Sequence, residues 1–280
     1  MGFGVESFYF FKFLKKNHLI TKHKSCIDIG SQEYDLKNKE NNYLLEELTN
    51  DLQSIDPATK AYKGIVADLM KYYGYDTYSS YDIDGRFGSI PVNFNDLVNT
   101  PNKKADLVMN LGTTEHVFNQ ANVFNFIHNV TKKGGFMYHV LPSIKYHNHG
   151  LYSYGASFFW SLAYANNYKI LGIWMNCNKY KNCFINEQNY IHKGIYEKAN
   201  IIVLMEKTTN YRFKNPIQIN NPMKIHDKFE IERGDSKNLP NITFNDFSFI
   251  DKKLKFNVNY SKFKHSKINT LKKFYKKIFK

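Results

Sequence analysis

A chain of 280 residues, 42% of them hydrophobic, suffices for one large domain with an appendage and can bury a substantial core. The formal charge of +14 points to an anionic partner, yet all but Arg86, Arg212 and Arg233 of the 39 basic residues are lysine, in a Lys-, Asn-, Ile-, Phe- and Tyr-rich composition typical of AT-rich coding; phosphate and base readers favour arginine's planar fork, so no nucleic-acid partner is expected. Cys26, Cys177 and Cys183 are odd in number and lack zinc-site spacing, which excludes a disulfide framework and indicates a reducing, cytoplasmic compartment, and no apolar run approaches the ~20 residues of a transmembrane segment.

The opening MGFGVESFYFFKFLKK has neither a basic n-region nor a small-residue cleavage site, and position 6 is not the Ser or Thr of a myristoylation pattern. It is predicted as an amphipathic helix over 6–19, packing on the domain through Phe10, Phe11, Phe13 and Leu14. SCIDIG, 25–30, is a short buried strand stopped by a glycine. A polar, turn-rich stretch and two helices, 43–52 and 65–73, follow. TYSSYDID, 77–84, is a strand in which Asp82 and Asp84 share a face. Residues 86–91 form a glycine-broken loop, and NFNDL, 93–97, a short edge strand.

The most telling segment is 105–142. It reads as a buried strand, a polar turn holding Asn110, Gly112, Thr113, Thr114, Glu115 and His116, a helix with the stripe Val123, Phe126, Ile127 and Val130, and a second buried strand. Lys132 and Lys133 are expected in the helix's last turn, with Gly134 and Gly135 ending it. A His- and Tyr-rich loop, a helix over 157–166, a strand over 168–175, an irregular polar stretch and a strand over 199–206 complete the pattern. This order calls for an α/β domain over 1–208, its sheet mostly parallel with an antiparallel strand at the end. Residues 209–280 read as a C-terminal extension, partly disordered or a small subdomain. Its last stretch is either a basic amphipathic helix in weak contact with a membrane surface or a helix docked by Leu271, Phe274 and Ile278.

The end of a parallel strand is where open α/β sheets bind ligands. A glycine just past the first strand lets the backbone approach one closely, with Asp28 placed to orient the loop. After Gly30 come Ser31, Gln32, Glu33 and Tyr34, so the dinucleotide pattern is absent, and no lysine-bearing phosphate loop is present. A ribose-bearing ligand without phosphate is therefore expected. Asp82 or Asp84 suits the ribose hydroxyls, since a carboxylate only accepts, and Asp96 is placed to meet an exocyclic amine.

Those segments, IDIGS, YDIDG, NDL, ADLVMNLGTTEHV and GGFMYHVLP in this order over roughly 24–207, resemble the class I S-adenosylmethionine-dependent methyltransferases. The run GTTEHVFNQ with GGFMYHVLP and NHGLYSY looks like a bacterial subgroup associated with polysaccharide or small-metabolite modification. The resemblance implies a Rossmann-like, doubly wound, seven-stranded sheet with S-adenosylmethionine as cofactor. It implies that Asp28, Gly30 and Ser31 line the methionine and ribose end, that Asp82, with Asp84 second, holds the ribose hydroxyls, and that Asp96 takes the adenine amino group beside Leu97. Asn110, Gly112 and Thr113 would wall the sulfonium side, with Gln32 and Glu115 as further cofactor contacts. Gln32 replaces the family's second glycine, and about 50 residues rather than ~20 separate Gly30 from Asp82, so 35–74 reads as an insertion.

Methyl transfer to oxygen benefits from positioning and from a base. His116 and His149 are the candidate catalytic bases, although His116 also reads as a helix cap or cofactor contact. His147 and Tyr152 are candidate acceptor-binding residues, and His139 reads as a core histidine. No acid or cysteine in the same loop completes a set with His139, His147 and His149, so no metal is expected. The expected function is O-methylation of a saccharide or small-metabolite acceptor. The alternatives are a non-catalytic cofactor-binding or scaffold protein, motivated by Gln32, and a nucleic-acid methyltransferase, motivated by the net charge, although this chain has no asparagine–proline–proline–aromatic tetrad after the fourth strand, where amino-methylating nucleic-acid enzymes carry one.

Overall fold

The sheet grows outward from β1 (Ser25–Ile29), whose Cys26, Ile27, Asp28 and Ile29 are all buried, as a central parallel strand covered on both faces requires. The computed structural model describes residues 3, 7, 10–11, 24–35, 63–96, 100–177, 184–186 and 198–218, all within the unit Met1–Asn241. After β1 come β2 (Glu33–Asp35), β3 (Lys63–Ile65), α1 (Val66–Tyr72), β4 (Thr77–Asp82), β5 (Ile90–Pro91) and β6 (Ala105–Leu111). Then follow α2 (Gln120–Val130), β7 (Thr131–Ile144), α3 (Ala156–Asn166), β8 (Tyr168–Cys177), β9 (Phe184–Asn186) and β10 (Ala199–Lys207).

The strand order is β5-β4-β1-β6-β7-β10-β8-β9. β1 pairs parallel with β4 and β6, β4 with β5, and β6 with β7, while β10 runs antiparallel between β7 and β8. The seven expected strands are thus present, the last in chain order being the antiparallel one. The three-residue β9 adds an eighth at the edge of β8. From β1 the chain winds outward through β4 to β5, then returns across β1 to β6 and winds the other way. The topological switch point lies between the C-terminal ends of β1 and β6.

β2 and β3 pair antiparallel, away from the main sheet, and so close the base of the expected insertion. Its helix over 43–52 lies outside the described residues. Of the predicted N-terminal helix, Ser7, Phe10 and Phe11 are helical and buried. Phe10 stacks on Tyr138 at 4.5 Å between ring centres and meets Trp174 edge-on at 5.8 Å, contacts worth about 0.5–1.5 kcal/mol each beyond the area they bury.

Three local expectations fail for physical reasons. β4 ends at Asp82, whose carboxylate accepts from the next amide, Ile83 N, at 2.6 Å, so Asp84 sits in a turn and does not share a strand face with Asp82. Asn93–Asp96 is a turn, because Asn93 Oδ1 accepts from Asn95 N (3.1 Å) and Asn93 O from Asp96 N (3.1 Å); this local bonding overrides the strand ladder, and the edge strand is Ile90–Pro91 instead. α2 starts at its cap, where Asn119 Oδ1 accepts from Asn122 N at 3.1 Å, but stops at Val130 rather than at the glycines. Lys132 and Lys133 therefore lie on β7, and Lys132 Nζ sits 2.8 Å from Asp106 Oδ1. The cation at the helix's C-terminus comes from β10: buried Lys207 donates to His128 O (2.6 Å) and Thr131 O (3.0 Å).

Beyond β10 the described chain packs back on the helices. His128 Nε2 donates to Tyr211 O (2.8 Å) while its Nδ1 accepts from Tyr168 OH (2.6 Å). Asn166 exchanges bonds with Lys214 N (2.8 Å) and O (3.0 Å). Among the described residues no helix is long and apolar enough to cross a membrane.

Candidate functional site

A cleft of about 220 Å³ opens at the switch point, over the C-terminal ends of β1, β4 and β6. Its floor is Ser31, Gln32, Gly112 and Thr113, and Asp82 stands on one side. Ile83, Val92, Phe94 and Val117 give it an apolar wall, Asn93 and Asn95 supply amides, and His116 closes the far edge. Among the described residues no lysine or arginine lines it. Its fixed charge is a carboxylate.

The floor is built by the loop after β1. Gly30 has φ +112°, and a Cβ there would lie 2.1 Å from Thr113 Oγ1, so only glycine lets the β1 and β6 loops meet. Gly30 N donates to Tyr81 O at 2.8 Å, which ties the loop to β4. Ser31 N donates to Asp82 Oδ2 at 2.6 Å, and Ser31 Oγ does so at 3.1 Å. Gln32, buried, donates from Nε2 to Leu111 O at 3.3 Å. Gln32, at the position where the resemblance expects a glycine, is thus a clamp between the ends of β1 and β6.

The other expected cofactor contacts lie elsewhere. Asp28 does not line the cleft: it is wholly buried within the sheet, where Oδ2 accepts from Tyr78 OH at 3.1 Å. Burial pushes its carboxyl well above the usual carboxylate range, the Asp82 charge adding to the rise. Asp84 also stands outside the lining; Arg86 N (2.9 Å) and Arg86 Nε bond its carboxylate and hold its pKa down. Asp96 is exposed and accepts from Asn93 Nδ2 at 2.8 Å, so Asn93 and Asn95, not Asp96, present polar groups to the cleft. Leu97 lies outside the described residues. Asn110 is buried beneath the floor. Its Nδ2 donates to Thr114 Oγ1 (2.9 Å) and His139 Nδ1 (3.1 Å), and Tyr154 OH donates to Gln120 Oε1 (2.6 Å) beside them. This buried network sets the turn that follows β6. Burial takes His139 down to about 3, so it is a neutral core residue.

That turn, a 3-10 segment over Thr114–His116, buries Glu115 completely and leaves His116 half exposed. The loop after β7 folds onto it: Leu151 N (2.8 Å) and Tyr152 N (3.2 Å) both donate to Glu115 O. A Cβ on Gly150 would stand 2.9 Å from Glu115 Cγ, so the loop needs glycine there to lie this close. His149 Nε2 comes within 3.6 Å of Glu115 Oε1, and His116 Nε2 within 3.8 Å. Burial raises the Glu115 carboxyl to about 7 and lowers both imidazoles. Tyr152 OH donates to Phe118 O at 2.9 Å, and His147 is exposed in the same loop. Of the expected site residues, Ser31, Gln32, Asp82, Gly112, Thr113 and His116 meet at the cleft, with Gly30 behind them and Glu115 and His149 behind His116. Ile83, Val92, Phe94 and Val117 carry no sequence signal as ligand contacts; they read as ordinary apolar loop residues.

No protein-family model matches the chain, and no curated protein does. Solved structures with a similar chain path include an O-methyltransferase from the trans-AT PKS multienzyme of Brevibacillus brevis, in complex with S-adenosyl-L-homocysteine, at 10% identity and TM-score 0.42 over 72% of each chain. Another is an O-methyltransferase family protein from Burkholderia thailandensis, at 10% identity and TM-score 0.41 over 73% of this chain and 57% of that one. A third is coclaurine N-methyltransferase bound to N-methylheliamine and SAH, at 11% identity and TM-score 0.39 over 71% of this chain and 72% of that one. No residue role passes from them to this chain.

Proposed function

We propose that the chain is a cytoplasmic methyltransferase that uses S-adenosylmethionine and methylates an oxygen of a small-molecule or saccharide acceptor. The observation that carries this reading is the cleft's charge: at the switch point the described residues offer a carboxylate and no cation. A phosphate-bearing ligand is held by amines, guanidinia or a glycine-rich phosphate loop, and the described residues of this cleft supply none of them. A cationic nucleoside suits it.

The residues present fit that cofactor. Asp82 accepts from Ser31 N, Ser31 Oγ and Ile83 N, which leaves about one of its roughly four lone-pair sites for a ribose hydroxyl; a second hydroxyl is accepted where Ser31 Oγ turns away. Ile83, Val92 and Phe94 give an adenine ring apolar surface, and Asn93 and Asn95 stand beside it to read its edge. The glycine approach of Gly30 to Thr113 holds the floor open for the amino-acid end. When bound, the cofactor supplies a methyl group on a sulfonium, reactive enough that orienting the acceptor provides much of the rate. His116 on the cleft wall and His149 behind it are the groups that activate the acceptor oxygen, and Tyr152 and His147 flank its approach.

Calorimetry with S-adenosylhomocysteine tests the reading directly. Saturable one-to-one binding that ATP and NAD do not displace is the expected result. Folded protein that gives no heat at millimolar S-adenosylhomocysteine refutes it.

A further inference from the structure

We propose that Glu115, His116 and His149 form a binding site for one divalent transition-metal ion of the zinc, iron(II) or manganese class. Three features of the geometry carry this. Glu115 is wholly buried, yet neither carboxylate oxygen has a hydrogen-bond partner, and His149 Nε2 has none either. Buried carboxylates are paired, hydrogen-bonded or bound to a metal. The side chains that face Glu115 Oε1 are two imidazoles, with Nε2 atoms at 3.6 and 3.8 Å.

The spacing is that of ligands waiting for an ion. Two ~2.1 Å metal bonds at the tetrahedral angle hold their donor atoms ~3.4 Å apart. The three residues' donor atoms all lie within 4.8 Å of one another; the two distances to Glu115 are within about 0.4 Å of that spacing, and a rotation of the partly exposed imidazoles brings their own separation to it. Among the described residues no other three His, Cys, Asp or Glu side chains come together in this way. Two imidazoles with one carboxylate select zinc, iron(II) or manganese over magnesium and calcium, which require oxygen cages.

The fold holds this set deliberately close. Glu115 and His116 sit on the turn fixed from below by Asn110, Thr114 and Tyr154. His149 arrives on the loop that hangs from Glu115 O through Leu151 N and Tyr152 N, and Gly150 permits the contact. Three protein ligands leave a coordination position open, and His116 places that position at the cleft wall. This consequence rests on the methyltransferase reading: the ion, rather than an imidazole alone, then receives the acceptor oxygen at that one position.

The test uses the full chain stripped with chelator and dialysed. Cobalt(II) titration is expected to give one ion per chain with visible d–d bands of low coordination number, displaced by zinc. X-ray absorption of the zinc-loaded wild-type protein is expected to show two imidazoles. Glu115→Gln and His149→Ala are expected to weaken cobalt binding by about 100-fold, while His147→Ala, two residues away in the same loop, keeps it. No binding below millimolar cobalt in folded wild-type protein, or no imidazole in the absorption spectrum, overturns the proposal, as does full affinity in folded His149→Ala. Because these readouts involve neither methyl transfer nor S-adenosylhomocysteine, their failure leaves the reading of the cleft standing, and failure of S-adenosylhomocysteine binding leaves the metal site standing.

Discussion

Asp82→Asn is the sharpest single perturbation of the cleft. The carboxylate accepts Ser31 N at 2.6 Å on one oxygen and Ile83 N at 2.6 Å on the other, with Ser31 Oγ at 3.1 Å. An asparagine amide retains one acceptor oxygen, so in either orientation one short backbone bond becomes an N–H facing an N–H. A hydrogen bond to a charged acceptor contributes about 1.5–3 kcal/mol. Asp82 is half-buried, so about 2 kcal/mol of loop stability is lost, and for a domain of this size that lowers Tm by roughly 4–8 °C. The ribose diol loses an acceptor as well. S-adenosylhomocysteine affinity is therefore expected to fall by about 10–100-fold, read by calorimetry at constant salt. Asp84→Asn is the matched control: Arg86 already occupies its carboxylate outside the cleft, and affinity is expected to stay within about threefold. If Asp82→Asn binds as wild type and Asp84→Asn fails, the ribose acid is Asp84 and the reasoning from the cleft is wrong.

Gly30→Ala forces a side chain into a backbone at φ +112° and against Thr113 Oγ1, and it is expected to reduce S-adenosylhomocysteine affinity by at least about 100-fold; near-normal binding in a titration would show that the two loops are not locked together. Lys207→Met leaves the carbonyls of His128 and Thr131 without their donor and is expected to cost about 1–3 kcal/mol in urea unfolding, with an unchanged midpoint as the contrary result. His128 is held down to about 4 by burial and the nearby Lys207 charge, so below its ordinary value of about 6.5 the unfolded chain takes up a proton that the native state refuses. Stability should therefore fall as pH drops from about 6.5 to 4, by up to about 3 kcal/mol, and His128→Gln should flatten that slope; a parallel pH profile in the variant counts against it.

The central strands were readable because parallel strands buried on both faces are written as apolar runs: SCIDI, ADLVMNL and ANIIVLMEK all form where the pattern puts them. The switch point follows from their order, and with it the meeting of Ser31, Asp82, Gly112 and Thr113. Asp84 and Asp96 misled because a two-residue alternation continues on paper after the ladder has ended. At both places short side-chain-to-backbone bonds, from Asp82 to Ile83 and within Asn93–Asp96, turn the chain first. Gln32 looked like a defect in a glycine motif; only the third dimension shows its amide bridging to Leu111. The approach of His149 to Glu115 had no local signal either. The two are 34 positions apart in the chain, and two backbone amides donated to a single carbonyl bring them together.

The short ladder of β2 and β3 has a consequence for how this protein can be altered. It holds Asp35 and Lys63, the two roots of residues 36–62, side by side, with Asp35 three positions beyond Gln32 of the cleft. A two-residue hairpin turn of the Asn-Gly kind spans such paired strand ends. The whole intervening stretch can therefore be exchanged, as a cassette, without cutting a described strand of the main sheet. A sequence grafted there springs from a ladder whose first pair, Glu33 with Ile65, directly follows Gln32 of the cleft.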